Sequence, residues 1–368
     1  MCRRSLRLCL VGSLILGAAT GCRLETGVSE LVVSIQSQPS TLGVWKESVA
    51  AGCGTPASAG EDTGAGHILF RLPSGHAYRL PAHAGSKPRD VSAALDAMSP
   101  GKDFLVTGSS DGEWLMVTTS RFGCGEDACA ALVDARACRA QVIVADGDMV
   151  HPNAHSAVAP HGAAVVYPAH GVHPMDLFAV TRAGDGWSSP VNLTAHAPTH
   201  YNQQPVVSPD GKRVLFDCGS DPGSGPGTSI CEVGLDGAGL HVAIAAGLHG
   251  RRGADHHAAF APDGSIVFEG TWAGGAEQVW RARPGQDPTL VNQETNPEDA
   301  SEPVYSDDNS PCVLPDGRIA SLWLGRKGAG VAKKGSGHEL KVMGPDGSGG
   351  EMLLIDVDVV DTGIVCTR

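Results

Sequence analysis

A tight turn followed by an apolar strand recurs six times along this chain, and that repeat constrains the fold more than any other feature. The clearest copy runs from Asn202 through Ser208-Pro209-Asp210-Gly211 into Val214-Leu215-Phe216. The next runs from Asp255 through Ala261-Pro262-Asp263-Gly264 into Ile266-Val267-Phe268, and a third from Asp308 through Leu314-Pro315-Asp316-Gly317 into Ile319-Ala320. Upstream lie Ala159-Pro160-His161-Gly162 before Val165-Val166-Tyr167, the weaker Ser110-Asp111-Gly112 before Trp114-Leu115-Met116-Val117, and Gly66 before Ile68-Leu69-Phe70. The turn glycines at 66, 112, 162, 211, 264 and 317 are 46, 50, 49, 53 and 53 residues apart. In such a turn Pro presets φ, Asp bonds its own backbone and Gly accepts positive φ. A period of this length accommodates four short strands and their loops, which is one blade of a propeller.

Outer strands are visible too. Asp176 to Thr181, the turn Gly184-Asp185-Gly186, and Trp187 to Thr194 read as a hairpin. Equivalent runs are Ile230 to Val233, Glu277 to Trp280 and Glu339 to Val342, each leading into a Gly-bearing turn. The Ser208-Pro209-Asp210-Gly211 turn with its flanks, and the Trp187 to Thr194 strand, resemble the WD40-like repeats of TolB-type propellers. The resemblance covers about residues 150 to 355. It implies an all-β, six-bladed β-propeller; the looser N-terminal copies leave five or seven blades open. Leu31 to Ile35 and Met352 to Ile355 are the expected closing strands.

Arg3, Arg4 and Arg7 precede an uncharged apolar run from Leu8 to Ala19, too short for a membrane span but suited to a signal peptide. The run ends on Leu16-Gly17-Ala18-Ala19-Thr20-Gly21-Cys22, which resembles a bacterial lipobox with Cys22 as the lipidated residue. The expected organisation is a lipoprotein signal peptide over 1–21, a lipidated linker over 22–30 and a single propeller over 31–368. Arg23 stands where an inner-membrane retention Asp would be, so the resemblance implies the outer membrane, facing periplasm or cell surface. Loss of the three signal arginines takes the net charge from −13 to −16. That balance excludes a nucleic-acid binder, which needs a basic stripe to displace counterions.

An exported chain with Cys53, Cys124, Cys129, Cys138, Cys218, Cys231, Cys312 and Cys366 beyond Cys22 is expected to form disulfides. Cys218 with Cys231 across a hairpin, Cys312 with Cys366 tying the tail, and two of Cys124, Cys129 and Cys138 are the candidates.

Registered on the turn glycine, the repeats align two further positions. Nine residues before it stand Asn153, Asn202, Asp255 and Asp308; seven before it stand His155, Gln204, His257 and Ser310. Each pair opens the innermost strand of a blade, so these side chains are expected to converge on one mouth of the central channel, with His256 and His200 near the rim. Imidazoles, an amide and carboxylates suit a polar ligand or a divalent metal, with His155 and His257 the metal-ligand candidates. No other cofactor is implied. Gly108-Ser109-Ser110-Asp111-Gly112 fits the nucleophile-elbow pattern but occupies the repeat's own turn, where no helix is expected to follow. Asp307 and Asp308, and the acids Asp356, Asp358 and Asp361, lack EF-hand spacing.

The expected function is a binding scaffold of the cell envelope, recognising an envelope protein or a small polar ligand and touching the membrane only through its lipid. Fold alone names no partner. The resemblance to TolB implies protein–protein interaction in the envelope. The alternative is a metal-dependent, lyase-like carbohydrate enzyme using the His155, Gln204 and His257 ring; non-enzymatic binding is the favoured expectation.

Overall fold

The structure is a computed structural model that describes residues 48–49, 64–124, 128–134, 139–144, 155–220, 227–246, 254–270, 277–291, 307–324, 338–360 and 363–368. Cys22, Leu31 to Ile35, Cys53, Cys138 and Asn153 lie outside them. Six small antiparallel sheets form a six-bladed β-propeller. Blade 2 runs outward through Asp103–Gly108, Trp114–Thr119, Cys129–Asp134 and Arg139–Val144, with Ser48–Val49 added at its outer edge. Blade 3 begins with Ala157–Val158, Ala164–Ala169 and Asp176–Ala183. Blade 4 has Tyr201–Val207, Arg213–Gly219, Ser229–Gly234 and His241–Ile244. Blade 5 has Asp255–Phe260, Ile266–Gly270, Gln278–Ala282 and Thr289–Leu290, and blade 6 has Asp307–Val313, Ile319–Leu324, His338–Met343 and Glu351–Val359.

In blades 2, 4, 5 and 6 the repeated turn joins the two innermost strands and has one shared chemistry; blade 3 carries His161 in place of the Asp, and Gly66 only leads into the second strand of blade 1. The Asp side chain accepts the backbone N–H two residues on: Glu113 to Asp111 at 3.1 Å, Lys212 to Asp210 at 3.2 Å, Ser265 to Asp263 at 3.0 Å and Arg318 to Asp316 at 3.1 Å. This local bond is why Asp precedes the turn glycine.

The second strand of each blade is apolar at successive positions because both of its faces are covered by neighbouring blades. In blade 4, Val214 and Phe216 enter a cluster with Val166 and Leu177 of blade 3, while Leu215 packs with Phe268 of blade 5. In blade 5, Ile266 and Phe268 face blade 4, and Val267 joins Ile319 of blade 6. In blade 1, Ile68 and Phe70 pack with Leu314 and Leu322 of blade 6, and Leu69 packs with Val106 and Val117 of blade 2. The core is therefore distributed over the seams. Each fully buried Leu, Ile or Phe contributes roughly 1.5–3 kcal/mol.

Closure differs from the expectation. The C-terminal strand Val365–Thr367 is the innermost strand of blade 1, paired with His67–Arg71 so that Cys366 lies opposite Ile68; Ala77–Pro81 and Arg89–Asp90 complete the blade. Met352 to Ile355 instead belong to the outermost strand of blade 6. The short tail strand, with Val365 and Cys366 half-buried, carries little hydrophobic signal, and its place is set by pairing and by covalent attachment. Cys366 is disulfide-bonded to Cys312 of blade 6, with Cα atoms 5.4 Å apart. Cys218–Cys231 and Cys124–Cys129 are also bonded, with Cα separations of 5.9 and 5.7 Å.

Polar stitches cross the seams as well. Arg182 of blade 3 lies over both Trp114 of blade 2 and Trp187, at 5.3 and 4.8 Å. At the seam of blades 3 and 4, buried Asp176 accepts hydrogen bonds from Thr194 Oγ1 at 2.8 Å, Asn192 Nδ2 at 2.9 Å and His173 Nδ1 at 2.9 Å. Burial opposes its charge, but the bonds from Asn192, His173 and Thr194 hold its carboxyl below the usual range.

Two outcomes are expected. Replacing Cys312 and Cys366 together by Ser removes a cross-link spanning 54 residues, and the chain-entropy relation puts the loss at about 4 kcal/mol. Thermal or urea unfolding against the parent checks it. Asp176→Ala should cost about 2–3 kcal/mol at neutral pH, since it removes a buried acceptor and strands its donors. Because the folded carboxyl titrates below the unfolded one, its contribution is complete above the unfolded value and disappears as pH falls through the folded one. The gap in urea midpoint between parent and variant should therefore narrow as pH falls from 7 to 3; a constant gap would refute the assignment.

Candidate functional site

The innermost strands of blades 4, 5 and 6 share a backbone irregularity at one register position. Gln204, His257 and Ser310 have φ of 53°, 52° and 48°, the left-handed region that L residues with side chains rarely occupy. The pairing register slips around each, between Gln203 and Val206, His256 and Ala259, and Asn309 and Cys312. These are β-bulges, which turn a side chain out of the ordinary alternation. All three bulged residues line a central cavity of about 120 Å³ together with His155, Thr107 and Ser110. Val158, Val206, Phe260 and Ile364 supply apolar wall.

His155 enters from the loop before blade 3, and its ring centroid lies 6.2 Å from that of His257, edge to face. Gly363, in the loop before the closing strand, makes this possible. It has φ of +94°, and a Cβ there would meet the His155 ring at 2.9 Å.

His155, Gln204 and His257 therefore share one cavity, as their spacing suggests, whereas Asn202 and Asp255 do not line it. Asn202 is buried between blades 3 and 4, where its amide nitrogen donates to the Met175 carbonyl at 3.2 Å. Asp255 is buried too, and a Cβ built on Gly270 would stand 2.9 Å from its Oδ1. Positions 202 and 204 would share a face in a regular strand; the bulge between them separates their directions. Asp308 pairs with Trp323 through the backbone of blade 6. His200 stacks on His173 at 5.6 Å, away from the cavity. The Ser110 turn connects two strands of blade 2, as Ser109 bonds Asp111 and Gly112 N–H donates to Ser109 O, so it is no nucleophile elbow.

Sequence spacing did not single out Glu269, on the second strand of blade 5. It is almost fully buried, and its carboxylate meets His256 Nε2 at 2.8 Å, His257 Nδ1 at 3.0 Å and the Ser310 backbone N–H at 2.6 Å. It thus holds the bulge of the next blade from behind. Burial works to raise its pKa, yet the His257 bond and imidazole, His256 and the Ser310 N–H hold it below the usual range. Burial lowers His256 to about 4, so that ring is neutral near pH 7. Asp217 occupies the matching position of blade 4, fully buried, with no well-formed hydrogen bond to either carboxyl oxygen. Burial pushes it well above its ordinary range, against the His257 imidazole and backbone N–H, with Glu269 and Asp255 adding to the rise. The legible signal was an acid at the same place in two otherwise apolar strands, Val214-Leu215-Phe216-Asp217 and Ile266-Val267-Phe268-Glu269.

No family model matches the chain, and no curated protein matches it. Among solved structures, TolB from Acinetobacter baumannii superposes with a TM-score of 0.56 at 14% identity, covering 83% of this chain and 68% of that one. A putative TolB from Agrobacterium tumefaciens gives a TM-score of 0.50 at 17% identity, covering 79% and 88%. The fold is that of a TolB-like propeller.

Gly363→Ala should destabilise the chain by roughly 1–3 kcal/mol, because it forces a side chain into positive φ and against His155. Loss of the His155 to His257 proximity should show as a changed pair of imidazole NMR resonances, with the other histidines unmoved.

Proposed function

We propose that this chain is a binding scaffold of the bacterial cell envelope that takes a side chain of a partner protein into its central cavity. The observation that carries the proposal is the convergence of His155, Gln204, His257 and Ser310, from separate parts of the ring, on one cavity of about 120 Å³. A cavity of roughly 150 Å³ admits a benzene-sized guest, so this one fits a single inserted side chain better than an enclosed sugar chain. Polar rim groups over an apolar wall are the usual composition of such a site. The rim is held by bulges and buried hydrogen bonds, so little ordering is needed on binding.

The rest of the surface favours the cavity as the recognition point. Among the described residues, Val172, Val191 and Val242 are the large apolar side chains that are strongly exposed, and they make up no broad apolar face. The expected lipid on Cys22 would hold the ring at the outer membrane, and the three disulfides suit an oxidising compartment. The likeness to TolB supports the fold underlying this function; the partner and the location are the proposal.

A photo-crosslinking residue placed at Ser110 in cells should give a discrete protein adduct, while the same residue at Val242 should give none. Adducts from both sites, or from Val242 alone, would move recognition away from the cavity. In the same strain Cys22→Ala should abolish metabolic labelling by palmitate and release the chain from the membrane fraction. Membrane retention without label would refute the anchor.

A further inference from the structure

The wall of the cavity holds a second arrangement, which shares only His257 with the partner-facing rim. One ligand atom each from His256, His257 and Glu269 lies within 4.8 Å of the other two. The three come from adjacent strands of blade 5, where His256 is paired opposite Glu269. We infer that His256, His257 and Glu269 form a binding site for one divalent transition-metal ion, of which zinc is the type, at the wall of the central cavity.

Two imidazoles and a carboxylate are the nitrogen and oxygen donor set that zinc takes when three protein ligands leave a coordination position open. Magnesium and calcium, which prefer oxygen ligands alone, fit it poorly. His257 is the part-exposed member, with 18% of its side chain accessible, and it faces the cavity; His256 and Glu269 are held behind it. An ion entering from the cavity would thus meet His257 first and find the other two fixed.

His256 meets Glu269 through Nε2, and its buried Nδ1 has no hydrogen-bond partner among the described residues. In the metal-free chain that Nε2 carries the proton shared with Glu269. On binding, the ion takes the Nε2 lone pair and the proton moves to Nδ1; His257, ligating through Nδ1, keeps one proton on Nε2 and gives any second one to solvent. The ion then replaces two N–H to carboxylate bonds by direct ligation, with both rings neutral and Glu269 anionic. Glu269 is almost fully buried, and an anionic ligand so placed is one that a dication stabilises. His155 lines the same cavity, with its ring centroid 6.2 Å from that of His257. This inference does not rest on the scaffold proposal: ligand geometry alone carries it, and the partner crosslink can fail while the metal binds.

The experiment uses the tag-free mature chain, stripped with chelator and dialysed, then titrated with zinc and separately with cobalt(II). One equivalent of zinc should bind, and cobalt(II) should show the intensified visible ligand-field bands of a low-coordinate nitrogen and oxygen site. His257→Ala and Glu269→Gln should each weaken zinc binding by about a hundredfold or more, beyond the range known for outer partners of a ligand. His200→Ala, a histidine that stacks on His173 away from the cavity, should bind zinc as the parent does. The inference is overturned if the folded parent takes up no stoichiometric zinc. It is equally overturned if cobalt(II) keeps the spectrum of the aqueous ion, or if His257→Ala binds as tightly as the parent. Should Glu269→Gln fail to fold, the cobalt(II) spectrum of the parent and the His257→Ala titration still decide the matter.

Discussion

A ring of sheets must join its last strand to its first blade, because an unclosed ring exposes two sheet edges and leaves the apolar faces of its end blades to water. In this chain three backbone-paired residues and one disulfide meet that requirement. Val365–Thr367 completes blade 1 from within, and Cys312–Cys366 ties it to blade 6. The Ile68, Phe70, Leu314 and Leu322 cluster lies at the same junction. The core is divided among the seams, so each seam depends on its neighbours being in place, and the closing seam completes the set.

The cavity inherits its shape from that closure. The loop that carries Gly363 leads directly into the closing strand and brings the backbone beside His155. Elsewhere around the cavity, the bulged residues of blades 4, 5 and 6 are held in a left-handed conformation that costs on the order of 1 kcal/mol or more for each residue. Glu269 supports one of them by accepting the Ser310 N–H across the seam. A side chain turned out of its strand in this way faces the axis of the ring, and the strain is offset by the bonds behind it. This is how a regular repeat produces an irregular, chemically distinct centre.

The proposed partner recognition and the inferred metal site share that centre. Its volume and its polar rim suit the insertion of a partner's side chain, which asks for rigidity and complementary bonding. The His256, His257 and Glu269 cluster on its wall has the donors that a transition metal asks for. Occupancy of the metal site would change the charge and hydrogen bonding of His257, one of the residues that faces the cavity, so partner recognition and metal binding would be thermodynamically linked.

The fold was legible in the sequence because it rests on local and periodic chemistry. The Pro-Asp-Gly turns specify hairpins through bonds within a few residues, their spacing counts the blades, and the doubly apolar second strands declare that both faces are covered. Much of the cavity was legible for the same reason: His155, Gln204 and His257 hold one register and meet. Tertiary structure alone decided the rest. Residues 202 and 204 look equivalent in a regular strand, and only the bulge sends Asn202 into a seam and Gln204 into the cavity. Val365–Thr367 is too short and too weakly apolar to announce itself as the closing strand. Glu269 sits more than ten residues from His256 in sequence, and only antiparallel pairing across blade 5 places them side by side. Local chemistry fixes which elements form; the contacts between distant segments, invisible to spacing, decide which side chains meet.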